Sequence, residues 1–174
     1  MADIDIRRGW GKIALLACPA LVVLGSASGW LSNSGFGNRW FDHLAKPTFM
    51  PPGWLFGVAW TILYILLGLA LAIVLAEPPS PRRKTGLTLF VIQLVLNFAW
   101  SPIFFAAHDI TLAKWVIFIM AVVAAAAARQ FLQLRRAAGL LLIPYLTWLV
   151  FAATLNATIE QLNPGAGTSL FGIG

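Results

Sequence analysis

Charge is scarce in this 174-residue chain: 10% of its residues are Asp, Glu, Lys or Arg, while 60% are apolar. Soluble domains carry roughly 25% charged residues, so the chain lacks the polar surface of a water-soluble monomer. Cysteine is nearly absent. Cys18 stands alone, which rules out an internal disulfide; inside the first apolar run it reads as a small buried hydrophobe. The two histidines, His43 and His108, fall singly in connecting segments and read as solvated loop residues, so no metal-ligand spacing exists. Near the centres of the apolar runs there is no Asp, Glu, His or Lys. Ion- and proton-coupled carriers need ionisable groups there, so no proton relay through the middle is expected.

What the chain does have is five long apolar runs. About twenty such residues, at 1.5 Å each, match the ~30 Å hydrocarbon core of a bilayer. The fold class is therefore all-α: one polytopic domain, a five-helix transmembrane bundle. Its spans cover about residues 11–32, 53–76, 85–106, 111–134 and 139–162, with a long loop at 33–50 and a flexible Gly-rich tail at 163–174. Arg7 and Arg8 ahead of an apolar run, with small residues Gly25 to Ser28 behind it, have the layout of a signal peptide. The run continues to Leu31, so it reads as an uncleaved span.

The net charge of +6 sits in connecting segments rather than along a stripe, which points to lipid headgroups and away from nucleic acid. With five spans, Arg7, Arg8, Lys12, Arg82, Arg83, Lys84, Arg129, Arg135 and Arg136 share one side, against Arg39, Lys46 and Lys114 on the other. That asymmetry places the N-terminus in the cytoplasm and the C-terminus outside. Short loops favour a bacterial inner membrane.

Small residues recur at helix-packing distance, Gly25 with Gly29 and Gly68 with Ala72. Such spacing lets backbones approach, within one bundle or across a dimer. Two faces carry polar and aromatic groups into the bilayer. On the third span Gln93, Asn97 and Trp100 share a face, with Pro102 freeing a carbonyl just beyond. On the fifth, Trp148, Ala152 and Asn156 do the same. These amides could serve as interhelical glue. Alternatively they line a pocket for a large planar apolar ligand, with walls of Trp54, Phe56, Trp100 and Trp148, orienting amides, and room left by Ala152. Trp10, Trp30 and Trp115 read as interfacial anchors. Pro51 and Pro52 suit the first turn of a helix, which makes the preceding loop a stiff lid.

Three segments, WFDHLAKPTFMPPGWLFGVAWTILY from Trp40, QLVLNFAWSPIFF from Gln93 and PYLTWLVFAATLN from Pro144, resemble the signatures of the TspO/translocator protein family, in order and across the whole five-span region. The resemblance implies an often dimeric five-helix bundle. Its cavity binds porphyrins and synthetic benzodiazepine-site ligands, with sterols or lipids as further partners and no intrinsic cofactor or metal. Carried over by position, Trp54 and Trp148 match the porphyrin-facing tryptophans, Asn97 and Trp100 the third-helix pair, and Ala152 and Asn156 the fifth-helix site. Trp40, Lys46 and Pro47 match the lid. Phe49 stands where many members have tryptophan, keeping a stacking face but losing an N–H donor. Leu155-Asn156 is followed by Ala157, Thr158, Ile159 and Glu160, without the Tyr of the animal sterol motif, so strong sterol binding is not expected. The functions implied are a tetrapyrrole receptor or sensor that tunes porphyrin level or transport, a light-dependent porphyrin-degrading enzyme in which Trp54 and Trp148 are catalytic, and a passive carrier.

Overall fold

The structure, a computed structural model, describes residues 9–167. Arg7 and Arg8 of the charge asymmetry and residues 168–174 of the tail lie outside the described residues. The helices are α1 (Trp10–Leu31), α2 (Arg39–His43), α3 (Gly53–Leu75), α4 (Pro81–Ser101), α5 (Ile110–Leu134), α6 (Arg136–Leu140) and α7 (Ile143–Leu162). A π-helical turn, Pro102–Ala106, extends α4. Five of these units are long and apolar enough to cross a membrane: α1, α3, α4 with its π turn, α5, and α6 with α7. The described residues include no strand.

Helix ends follow local chemistry. The third span starts at Pro81, four residues before the apolar pattern begins. The Ser80 hydroxyl accepts from the Arg83 N–H at 3.1 Å and Pro81 sits where an N–H is not needed. Arg83 then lies on the helix, and its guanidinium donates to the last carbonyls of α3, Val74 O at 3.1 Å and Leu75 O at 3.0 Å. Nearby, Arg135 Nε pairs with Glu77 at 2.6 Å. The Pro51–Pro52 pair precedes α3 and does not enter its first turn. Pro52 is the N-cap, extended at φ −62°, ψ 146°, and the helix opens at Gly53. The fifth span is interrupted at Leu141 and Leu142, just ahead of Pro144, whose missing N–H cannot continue α6.

Pro102 has a larger effect. It cannot donate to the carbonyl four residues back, Phe98 O, and the backbone widens into a π turn in which the Ala107 N–H reaches Pro102 O at 2.9 Å. The released Phe98 carbonyl accepts from the Ser28 hydroxyl of α1 at 2.6 Å. Ser28→Ala should therefore lower stability by about 1 kcal/mol, seen as a lower thermal midpoint in detergent.

Gly25 and Gly68 work within the bundle. A Cβ on Gly25 would fall 2.1 Å from the Tyr64 ring, and one on Gly68 would fall 2.7 Å from Cys18 Cα, so both glycines bring α1 against α3. Cys18, half-buried in that contact, points its thiol at Ile65 O. Elsewhere α4 packs on α5 and α5 on α7. One apolar core, including Leu67, Phe90, Met120, Phe131 and Leu149, fills the interior of the bundle. A second, around Phe41, Phe104, Phe105 and Ile159, lies under the 33–50 loop. Trp30 and Trp115 are exposed as anchors should be, whereas Trp10 packs against the main core.

Candidate functional site

Between the two cores lies a cavity of about 670 Å³, inside the 300–1,000 Å³ range of small-molecule sites. Its walls come from α1, α3, α4 with the π turn, and α7, and α5 contributes Ile117 and Met120. Among the described residues no charged side chain lines it. Rings dominate. Trp60 stacks on Tyr64 (centroids 5.4 Å, 27°), meets Trp148 edge-on at 6.3 Å, and Trp100 stacks on Phe104 at 5.2 Å.

The sequence-derived site residues separate into three groups. Trp54, Phe56, Asn97, Trp100, Trp148, Ala152 and Asn156 all line the cavity. Trp54 does so from its outer edge, 68% exposed. Gln93 does not line it; its side chain lies one layer deeper, accepting at Oε1 from the Tyr145 hydroxyl at 2.7 Å. The lid residues Trp40, Lys46, Pro47, Phe49, Pro51 and Pro52 are likewise absent from the lining, and the loop faces the cavity with Phe36, Phe41 and Met50 instead.

The amides divide the same way. The Asn97 Oδ1 accepts from the Tyr64 hydroxyl at 2.7 Å, and its Nδ2 donates to the Tyr145 oxygen at 3.1 Å. A chain Tyr64–Asn97–Tyr145–Gln93 thus ties α3, α4 and α7 together, so Asn97 acts first as interhelical glue. Asn156 differs. It is 2% exposed, and neither its Nδ2 nor its Oδ1 finds a hydrogen-bond partner among the described residues. The buried indole nitrogen of Trp100 is also unpartnered. Unpaired buried polar groups are costly, and where they face a cavity they suit a ligand's polar atoms. Tyr64 and Tyr145 were hidden from a sequence reading because each sits in an apolar run and resembles core. The available signal is that a phenol at that depth needs a partner.

The loop over the cavity is a fastened roof. Asn38 caps α2 through the Phe41 N–H and donates to Phe105 O at 3.2 Å. Lys46 Nζ donates to the carbonyls of Phe41, Asp42 and Leu44, and sits 4.6 Å from the Phe41 ring centroid. The Asn163 side chain exchanges two hydrogen bonds with the Ala45 backbone, at 2.7 and 2.8 Å. Trp40 donates from its indole to Ala166 O at 3.0 Å and stacks on His108 at 4.4 Å. His108 is therefore half-buried against a ring, not a solvated loop residue. Its left-handed backbone (φ 58°) ends the π turn. Phe49, opposite Phe151 at 6.5 Å, keeps the edge contact that a ring allows. On the far side of the roof, Glu160 of α7 pairs with Lys114 and accepts from Thr111.

Comparison with known proteins agrees with this architecture. The chain is 41% identical over 133 residues to the Tryptophan-rich protein TspO of Chlorobaculum tepidum, covering 72% of this chain and 80% of that one. It is 35% identical over 127 residues to Protein CrtK of Rhodobacter capsulatus, covering 72% and 79%. Against the human Translocator protein it is 38% identical over 133 residues, covering 75% and 79%. A profile of the TspO/MBR family matches residues 16–162. With five membrane-spanning units and that match along nearly all of them, this multi-pass membrane chain belongs to the TspO/MBR family.

Proposed function

We propose that the chain is a membrane receptor for planar amphiphilic tetrapyrroles of the protoporphyrin class, and that binding tunes porphyrin level or transport. The observation carrying this reading is the uncharged, ring-walled cavity in which the Trp100 N–H and the whole Asn156 amide lack partners among the described residues. The rings supply stacking faces, while the two orphan groups offer donors and an acceptor. With no cation among the lining residues, the carboxylates of such a ligand stay at the mouth and its macrocycle goes inside. The N-terminus is cytoplasmic in this reading, and the roof faces outward in a bacterial inner membrane, as a homodimer.

Titration with protoporphyrin, followed by tryptophan quenching, tests it. Asn156→Leu should weaken binding on the order of tenfold, about 1.4 kcal/mol. It should leave the thermal midpoint unchanged or raised, because no protein hydrogen bond is lost. Affinity unchanged by both Asn156→Leu and Trp148→Ala would refute the site. The contiguous rings Trp148, Trp60 and Tyr64 along one wall favour a second reading, light-dependent breakdown of the bound ligand. Illuminating the complex separates the two: Soret absorbance lost in wild type but not in Trp148→Phe supports the enzyme.

A further inference from the structure

The cavity wall is uneven in a consistent way. Its lining residues on α4, the π turn, α5 and α7 are all buried or half-buried, whereas every exposed one belongs to α1, α3 or the loop between them. On α3 these are Gly53, Trp54, Gly57 and Thr61; on α1 they are Ser26 and Trp30. Gly53, Gly57 and Thr61 are four apart and form one stripe of small side chains. Below it α1 and α3 are pressed together by Gly25 on Tyr64 and Gly68 on Cys18, while a Cβ on Gly57 would meet nothing within 4 Å. The two helices therefore part above a tight contact and leave a slot. Phe36 of the loop covers its upper end, where a Cβ on Gly53 would fall 2.7 Å from that ring; from Gly57 to Thr61 the open part runs about 6 Å down a unit long and apolar enough to cross a membrane.

The roof, by contrast, is fastened on the side away from this slot. Asn163 clasps Ala45, Trp40 is held by Ala166 and His108, and Asn38 holds Phe105. A route under the loop would break all of these contacts. The slot breaks none.

The geometry points to a lateral portal: a planar amphiphile dissolved in the bilayer enters and leaves sideways between α1 and α3, beneath a roof that stays shut. The portal deepens the receptor reading and rests on it. Glycine and hydroxyl side chains pass a flat ring system edge-on, and the exposed indoles of Trp30 and Trp54 stand beside the opening, where polar substituents can remain at the interface.

The test uses the full chain in vesicles whose lipid carries protoporphyrin, with exchange followed by stopped-flow tryptophan quenching. Gly57→Phe places a ring in the slot. Ser26→Phe does so from the facing helix and carries the test if Gly57→Phe does not fold. A third protein, Cys18→Ser with Ala45→Cys and Asn163→Cys, is cross-linked through its thiols to lock the roof. Either plugging substitution should slow both association and dissociation, on the order of tenfold, whatever change in Kd a ring at a lining position brings. The locked roof should exchange at the wild-type rate. Uptake abolished by the cross-link, or wild-type exchange in the plugged variants, overturns the portal. Plugged variants that bind weakly but exchange no more slowly overturn it too, since the ring then fills the site rather than the passage. A wild-type protein that takes up no protoporphyrin overturns the receptor reading itself, and the portal with it.

Discussion

Asn97→Leu is expected to destabilise the bundle by about 1–3 kcal/mol, as two buried phenols lose partners at once. The Tyr64 hydroxyl loses its acceptor, and the Tyr145 oxygen loses its donor. In a water-soluble core each orphan costs roughly 1–3 kcal/mol. In a bilayer, measured pairs average about 0.6 and reach about 1.7 kcal/mol, because helices separated in lipid also find partners. The sum falls between those limits. A decisive comparison is the quadruple variant Asn97→Leu, Tyr64→Phe, Tyr145→Phe, Gln93→Leu, which removes the whole chain of donors and acceptors together and should recover most of the loss. Thermal midpoints in one detergent measure both. A single substitution as stable as wild type would show that the chain of hydrogen bonds holds nothing together.

Gly68→Ala should cost still more, about 3 kcal/mol, despite adding one methyl group to a helix that ordinarily gains about 1 kcal/mol from that exchange. The new Cβ would lie 2.7 Å from Cys18 Cα and 2.9 Å from its backbone nitrogen. Backbone cannot rotate away, so α1 and α3 must separate. Cys18→Ala removes only the sulfur at 2.8 Å and should not rescue the variant. Gly57→Ala on the same helix, with open space around it, should be neutral or mildly stabilising. Rescue by Cys18→Ala, or equal costs at positions 57 and 68, would contradict the close-packed contact.

The spans were legible because length and hydropathy act within one segment. All five fall within a few residues of their apolar runs, and Pro102 announced the irregular turn. The tryptophans, Ala152 and Asn156 could be placed at the cavity because helical spacing sets a residue's face. Depth around that face was not legible. Gln93 and Asn97 share one side of α4, yet the phenol of Tyr145, 52 residues away in sequence, decides that Gln93 is interior. The fastening of the roof was out of reach for the same reason. Trp40 belongs to a strong local pattern, but its partners are His108 and Ala166, which local pattern does not reveal. His108 appeared solvated because nothing near it in the chain stacks.

Because the roof closes through pairs 118 and 126 residues apart, Ala45 with Asn163 and Trp40 with Ala166, it is completed by nearly the last residues described. A ribosome delivers the loop early and its fasteners late. Until the end of synthesis the roof therefore rests on Asn38 with Phe105 and Trp40 with His108, and shortening the chain ahead of Asn163 would leave all five crossings inserted beneath a top without its last two fasteners.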